Sequence, residues 1–448
     1  MSIIGSGFLK QAEVIVKGLG IPLAIGVYPG APMVDSAEEL RRKVEEVLAP
    51  GLLEGLTGNA PRDLAIDAEP AARQVVFSGT FDEVQEHFHR QLWTDGMPIV
   101  PPTREQIDRF LGFTDRSAEE VIGIVPIEGR EASILSIAVT GVMAGCRPEY
   151  MPVLVAVVEA MCDPDFRIED CGSTPGWEPL VIVNGPIIKK LDFNYGQGVM
   201  RVGRQANTTT GRFVRMYLRN ICGFRIPPGA GDKGSIGQTF LVAMAEDEGS
   251  AREIGWPTFA QDRGFDAGEN VVTVQSVACI TPPTYSAGDR AVHHVQQWAD
   301  VMGQTFTYWS HVGFWNGIWN PLIVAGPSVA KVIAREWSKD DVRRYMHENI
   351  KVSAERAEHY AHMTSVPTFS LEQLVREGRI PKEYASTSDP QRLVNVIIKP
   401  EMVEILVAGD PGRNQSRGYM SNHIQGPPVS RRVELPRNWE QLLKQGRA

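Results

Sequence analysis

The stretch Pro179-Leu180-Val181-Ile182-Val183-Asn184-Gly185-Pro186 decides how this 448-residue chain is read. Its four central residues are apolar without a polar interruption, so no solvated face alternates with a buried one. Such a run must be buried on both faces, and the Gly-Pro pair that follows ends it in a turn. The pattern returns as Pro321-Leu322-Ile323-Val324-Ala325-Gly326-Pro327, as Ile405-Leu406-Val407-Ala408-Gly409-Asp410-Pro411 and, more loosely, between Pro22 and Gly30. Helical patterns precede or follow most copies. Together these predict an α/β fold of largely parallel sheets with flanking helices. The matches are too short to establish a duplication. In a parallel sheet the Gly/Pro turns fall at the carboxyl ends of the strands, where open α/β sheets hold their ligands.

Outward from these strands the chain divides. Residues 1–58 read as a small N-terminal α/β unit: a helix over 8–19, a strand over 22–28, and a charged helix capped by Asp35 or Ser36. Residues 59–74 lose all periodicity and read as a linker. Residues 75–448 form the main α/β body, which divides into 75–285 and 286–448. Its first elements are a strand over 75–78, a helix over 82–92 and a helix from near Glu105; a further strand is expected over 239–245.

Composition is that of a soluble globular protein, 43% hydrophobic and 22% charged, which excludes disordered and fibrous classes. The longest uncharged apolar stretches fall short of the roughly 20 residues that span a bilayer, and the N-terminus lacks a basic flank. A cytoplasmic location without a membrane partner is the expectation. Five cysteines at irregular positions form no CxxC pair, so neither a disulfide framework nor a zinc site is indicated. A net charge of -9 without a basic tail argues against nucleic acid.

Against that acidic balance, residues 193–231 contain no acid and no lysine, yet hold Arg201, Arg204, Arg212, Arg215, Arg219 and Arg225. Arginine without lysine favours a two-pronged grip on carboxylate or phosphate. Asn207-Thr208-Thr209-Thr210 reads as a helix start, and on that helix Arg212, Arg215 and Arg219 share one face. The alternatives are a site for a small anion, with Arg201, Arg204, Asn207, Thr208, Arg212 and Arg215 as binding residues, and a charged face paired with acids elsewhere. The glycines here do not match a dinucleotide fingerprint, and no phosphate-loop motif occurs, so no nucleotide or other cofactor is expected.

Four further features carry chemistry. Cys146, beside Arg147 and before a helix opened by Pro148, is a candidate thiolate or a buried cysteine. Glu149 is a candidate acid/base group or a partner for the helix dipole. The segment Phe306 to Asn320 gathers Trp309, Trp315 and four other aromatics around His311. It reads as a pocket wall with His311 as proton carrier, as a subunit interface of a homo-oligomer, or as core. His347, His359 and His362 offer two histidines one turn apart, but no third ligand and no HExxH, so no metal is predicted. Among the charges flanking the 239–245 strand, Lys233 and Glu246 stand out as groups that can face a ligand.

Several stretches together resemble the UGSC-like proteins, a bacterial family named for a selenocysteine-Gly-Ser-Cys motif. They are Gly20-Ile21-Pro22 with Val27-Tyr28-Pro29-Gly30, Asp95 to Thr103, Met143 to Pro152, Val183-Asn184-Gly185-Pro186, Asn194-Tyr195, and Arg212 to Asn220. Where the name-giving motif falls, near Gly5-Ser6-Gly7, this chain has neither selenocysteine nor cysteine. The resemblance implies an enzyme-like α/β fold and brings no reaction with it.

The functional expectation is an enzyme acting on a small organic anion by acid/base chemistry of lyase or hydrolase type. Glu149, Glu246 and His311 are the candidate bases, and Trp309 and Trp315 cover the apolar part of the substrate. The alternatives are a thiol-dependent redox enzyme using Cys146 and a non-catalytic binding subunit.

Overall fold

The computed structural model describes residues 2–18, 23–58, 71–125, 129–172, 176–226, 239–363, 369–421 and 426–446. In the N-terminal unit Ser2–Gly5 pairs in parallel with Ile25–Tyr28. The helix that follows opens at Ser36, whose hydroxyl accepts from Glu39 N while the Glu39 carboxylate accepts from Ser36 N. Most of the expected linker, residues 59–70, lies outside the described residues. No strand forms at 75–78; Phe77 instead stacks on His87 of the helix Phe81–Arg90, with ring centroids 4.4 Å apart. The strand expected over 239–245 is confined to Met244–Ala245.

The body is built on two mixed sheets. In the first, the order is Val429–Arg432, Val271–Val277, Glu178–Asn184, Met244–Ala245. In the second it is Glu404–Val407, Leu322–Ala325, Gln415–Met420, Cys279–Ile280, with Thr284–Tyr285 also pairing with Gln415–Met420. Each sheet has one parallel pair; every other ladder in the two sheets is antiparallel. The expectation of largely parallel sheets is therefore corrected: the fold is mixed α/β.

The strands are nonetheless buried on both faces, because the two sheets stack on each other. Leu180 and Ile182 of the first sheet pack with Leu322, Val324, Leu406 and Tyr419 of the second. The alternate residues Val181 and Val183 face the helices Ile134–Met143, Met151–Met161 and Gln205–Asn220. Ile323 and Ala325 face the helix Ala291–Phe306 on the far side. The layers thus run helix, sheet, sheet, helix, and a strand in either sheet meets apolar neighbours in both directions. Burying one such Leu or Ile side chain is worth about 1.5–3 kcal/mol, so this shared seam is a main cohesive surface of the body.

The two sheets also repeat one connection. A strand (Glu178–Asn184 or Leu322–Ala325) leads through helices to a parallel neighbour (Met244–Ala245 or Glu404–Val407), and an antiparallel strand returns on its other side (Val271–Val277 or Gln415–Met420). The register agrees as well. Glu246 N donates to Val183 O at 3.2 Å, and Ala408 N donates to Ala325 O at 3.1 Å. Val183 thus corresponds to Ala325, and Glu246 to Ala408. Ile405 to Pro411, which reads in sequence as another copy of the first strand, is the parallel neighbour within the second half. Among the described residues no helix is long and apolar enough to cross a membrane.

Candidate active site

At the carboxyl end of the first parallel pair, Asn184 and Glu246 stand next to each other, one residue beyond the last apolar rung. The alternation that sends Ile182 and Met244 into the seam between the sheets sends these two polar side chains the same way. Glu246 is only 1% exposed. Its Oε2 accepts from Asn184 Nδ2 at 2.5 Å and from Phe259 N at 2.7 Å. Its Oε1 is buried and has no hydrogen-bond partner among the described residues. Burial raises its pKa to about 7, against the opposing pull of Lys339 and of the two donors. With both donors on Oε2, the acid proton belongs on Oε1.

The surroundings hold this carboxyl in place. Asn184 Nδ2 also reaches Glu248 Oε1 at 3.2 Å, and Glu248 Oε1 accepts from Gly185 N at 2.7 Å. Gly185 has φ +96°, and a Cβ there would lie 2.3 Å from Glu269 O, so glycine alone permits this strand end. Asp247 accepts from Ser250 N at 3.0 Å and Ser250 Oγ at 2.7 Å and so caps the helix Glu248–Glu253.

Glu246 forms part of the wall of a pocket of about 230 Å³, with Lys189, Tyr195, Glu248, Arg252 and Ile188 around it. Lys189 has no ion pair, and the Tyr195 hydroxyl no hydrogen bond, among the described residues. Arg252 lies 3.7 Å from Glu248 and is 56% exposed. Tyr195 is placed by its backbone. Asn207, fully buried, accepts from Asn194 N at 2.7 Å and donates to Asn194 O and Ala243 O, both at 2.9 Å. It staples the Tyr195 loop to the segment that carries Glu246. From the second half, Gly409 N donates to Tyr195 O at 2.9 Å and Asp247 N to Val407 O at 2.8 Å. The first half therefore lines the pocket, and the second half braces Tyr195 and Asp247 of its wall.

The other residues singled out in the sequence lie elsewhere. Arg212 grips Asp95 with two prongs at 3.0 and 2.9 Å and reaches Pro98 O at 2.7 Å, while Arg215 meets the same carboxylate at 2.5 Å. Burial would raise the Asp95 pKa, but the two guanidinium groups outweigh it and hold it at about 2. With Arg219 donating to Leu92 O at 3.0 Å, this helix face clamps the segment 92–98. Arg204 pairs with Asp192 at 2.7 Å on the surface, Arg201 is exposed, and Thr208 Oγ1 accepts from Gly203 N at 3.1 Å.

The Cys146 thiol donates to Thr209 O at 3.3 Å, and burial pushes its pKa up to about 12, the reverse of an activated thiolate. Glu149 is buried against Arg147 at 2.7 Å. His311 is buried, with Nδ1 at 2.9 Å from Tyr308 O; desolvation lowers its pKa to about 4 and keeps the ring neutral. Its neighbours Phe306, Phe314 and Trp319 belong to the core of the second half, with Trp309 and Trp315 packed on its margin. Trp315 stacks on Phe369 and carries Arg379 at 4.2 Å from its ring centroid. The nitrogens of His347 meet Ile397 O at 2.7 Å and Asn395 Nδ2 at 2.9 Å, and His359 and His362 are exposed. Among the described residues no cluster of three His, Cys, Asp or Glu side chains can hold a metal ion. Lys233 lies outside the described residues.

Of the candidates, then, Glu246 lines the pocket and Asn207 organises it. Lys189, Arg252, Asn184 and Tyr195 are not reached by reasoning on charge or motif spacing. The last two do fall in stretches that carry the family resemblance. Compared with protein-family models, curated proteins and solved structures, the chain has no match.

Proposed function

We propose that the chain is an enzyme that binds a small organic anion in the Glu246 pocket and acts on it by acid/base chemistry of lyase or hydrolase type. Glu246 is the proton carrier, giving its proton from Oε1 and taking it back there. Lys189, with Arg252 at the rim, holds the anionic group. The observation that carries this reading is Glu246 itself: a residue that lines a pocket and whose buried Oε1 has no hydrogen-bond partner among the described residues. Its raised pKa supports the role, because a proton carrier works best with a pKa near the working pH. We also propose kinship with the UGSC-like proteins, whose resembling stretches supply Gly185, Pro186 and Tyr195 of this wall.

Titration calorimetry with a panel of small carboxylates tests the site. Lys189→Ala should weaken binding by about tenfold or more, the worth of one charge-assisted contact. Glu246→Gln should remove the fall in affinity that the wild type shows as pH rises through 7. A panel that binds equally well to all three proteins at every pH would remove the reading.

A further inference from the structure

In the helical layer that covers the far side of the second sheet lies a cavity of about 420 Å³ that shares no residue with the Glu246 pocket. Its walls come from separate elements. The helix Ala291–Phe306 contributes Asp300, and Tyr308 follows in the turn Thr307–Trp309. The strand Lys351–Ser353 contributes Lys351, and the helix Ala354–Met363 contributes Arg356 and Tyr360, one turn apart on one face. The volume is in the range of sites for small molecules.

Three charged side chains of this wall are uncommitted. Asp300 has no ion pair and no side-chain hydrogen bond among the described residues, and neither has Lys351. Arg356 is held without being neutralised. Its Nε donates to the Tyr360 hydroxyl at 2.6 Å, and its guanidinium lies 5.5 Å from the centre of that ring. Nη1 and Nη2 have no partner among the described residues, which leaves them open to a two-pronged contact with a carboxylate. Opposite charges that line one cavity without pairing stand apart from each other, and a ligand that carries both charges can bridge them.

We infer that this cavity binds a free α-amino acid with a large apolar side chain. Its carboxylate lies on Arg356 and Lys351, and its ammonium on Asp300. The side chain lies along Tyr308, which is 46% exposed. A simple anion would satisfy the two cations and bring its charge towards Asp300; a simple amine would do the reverse. Only a ligand with both groups meets every charge of the wall with its opposite.

The test is calorimetry on the full chain at pH 7 with L-leucine and L-phenylalanine. Each is set beside a counterpart without the ammonium, isocaproate or hydrocinnamate, and one without the carboxylate, isoamylamine or phenethylamine. Each amino acid should bind about fivefold or more tightly than either counterpart, the worth of a charge-assisted contact to a partly exposed group. Asp300→Asn should remove the advantage over the carboxylates, and Arg356→Gln should cut the advantage over the amines. Both residues are exposed, so both variants keep the fold. Lys189→Ala should change none of these ratios, because Lys189 belongs to the other pocket. Amino acids that bind no tighter than the matching carboxylates leave a plain anion site and overturn the assignment. It also falls if the preference persists in Asp300→Asn, if it vanishes in Lys189→Ala, or if no probe binds.

Discussion

At the carboxyl end of its parallel pair, the first half of the body sets Asn184 beside Glu246, and the second half sets Gly326 beside Ala408. The register is the same at both places, as the paired hydrogen bonds from Glu246 N and Ala408 N show. Counting from Leu180 and Leu322, which both face the seam, Asn184 falls on the position of Gly326. The chain therefore contains its own control. A strand end of this kind closes with no side chain larger than a methyl group, so the buried acid and amide of the first half are not something the architecture demands. They also carry a cost. An acid whose folded-state pKa lies near 7 instead of 4.5 is held in surroundings that penalise its charge.

The comparison can be broken most forcefully from the second half. Ala408→Glu would bury a carboxyl where Gly326 offers no amide to meet it, and should cost about 4 kcal/mol or more at pH 8 in urea denaturation. A loss below about 1 kcal/mol would mean that the two strand ends are not equivalent. Next in size, Glu246→Gln keeps an acceptor for Asn184 and Phe259 and removes the charge. The unfolded glutamate ionises near 4.5 and the folded one near 7. The wild type therefore loses stability as pH rises between these values and stays penalised above them. The variant should gain on the order of 3 kcal/mol at pH 8 and nothing at pH 4; equal gains at both would disprove the charge penalty.

Two smaller effects sharpen the contrast. Asn184→Gly combined with Glu246→Ala rebuilds the second half's arrangement in the first. It should fold cooperatively, with a stability within about 1 kcal/mol of the wild type at pH 8, and bind carboxylates through Lys189 with no fall in affinity as pH rises through 7. An unfolded double variant would show that the polar pair supports the fold. Lys189→Ala should change stability by less than about 0.5 kcal/mol, as expected for an exposed residue without partners among the described residues, and report only on binding.

Parts of this were legible in the sequence. The three apolar runs of the body correctly announced strands with two buried faces, whereas in the looser copy Ile25–Tyr28 buried and half-buried residues alternate. Their direction was not legible, since a second sheet buries a strand as completely as a layer of helices does, and an apolar run carries no record of which one covers it. Glu246 could be marked as an acid at a strand end because its place follows from local pattern. Arg212 and Arg215 looked like an anion site because their partner, Asp95, lies 117 and 120 residues away. Local charge counting does not see across that distance. Lys189 on a one-turn helix and Tyr195 in a loop are ordinary residues in sequence, and only the fold that gathers them beside Glu246 gives them a common place.

Two of the bonds that cross between the halves, from Gly409 to Tyr195 and from Asp247 to Val407, have a thermodynamic consequence. A ligand filling the Glu246 pocket would rest on Tyr195 and Asp247, which these bonds tie to the end of the second sheet. Opening the seam would then require releasing the ligand, and binding would be linked to the cohesion of the whole body. Amide exchange at Gly409 and Asp247 should slow when the pocket is filled, although neither amide touches what fills it.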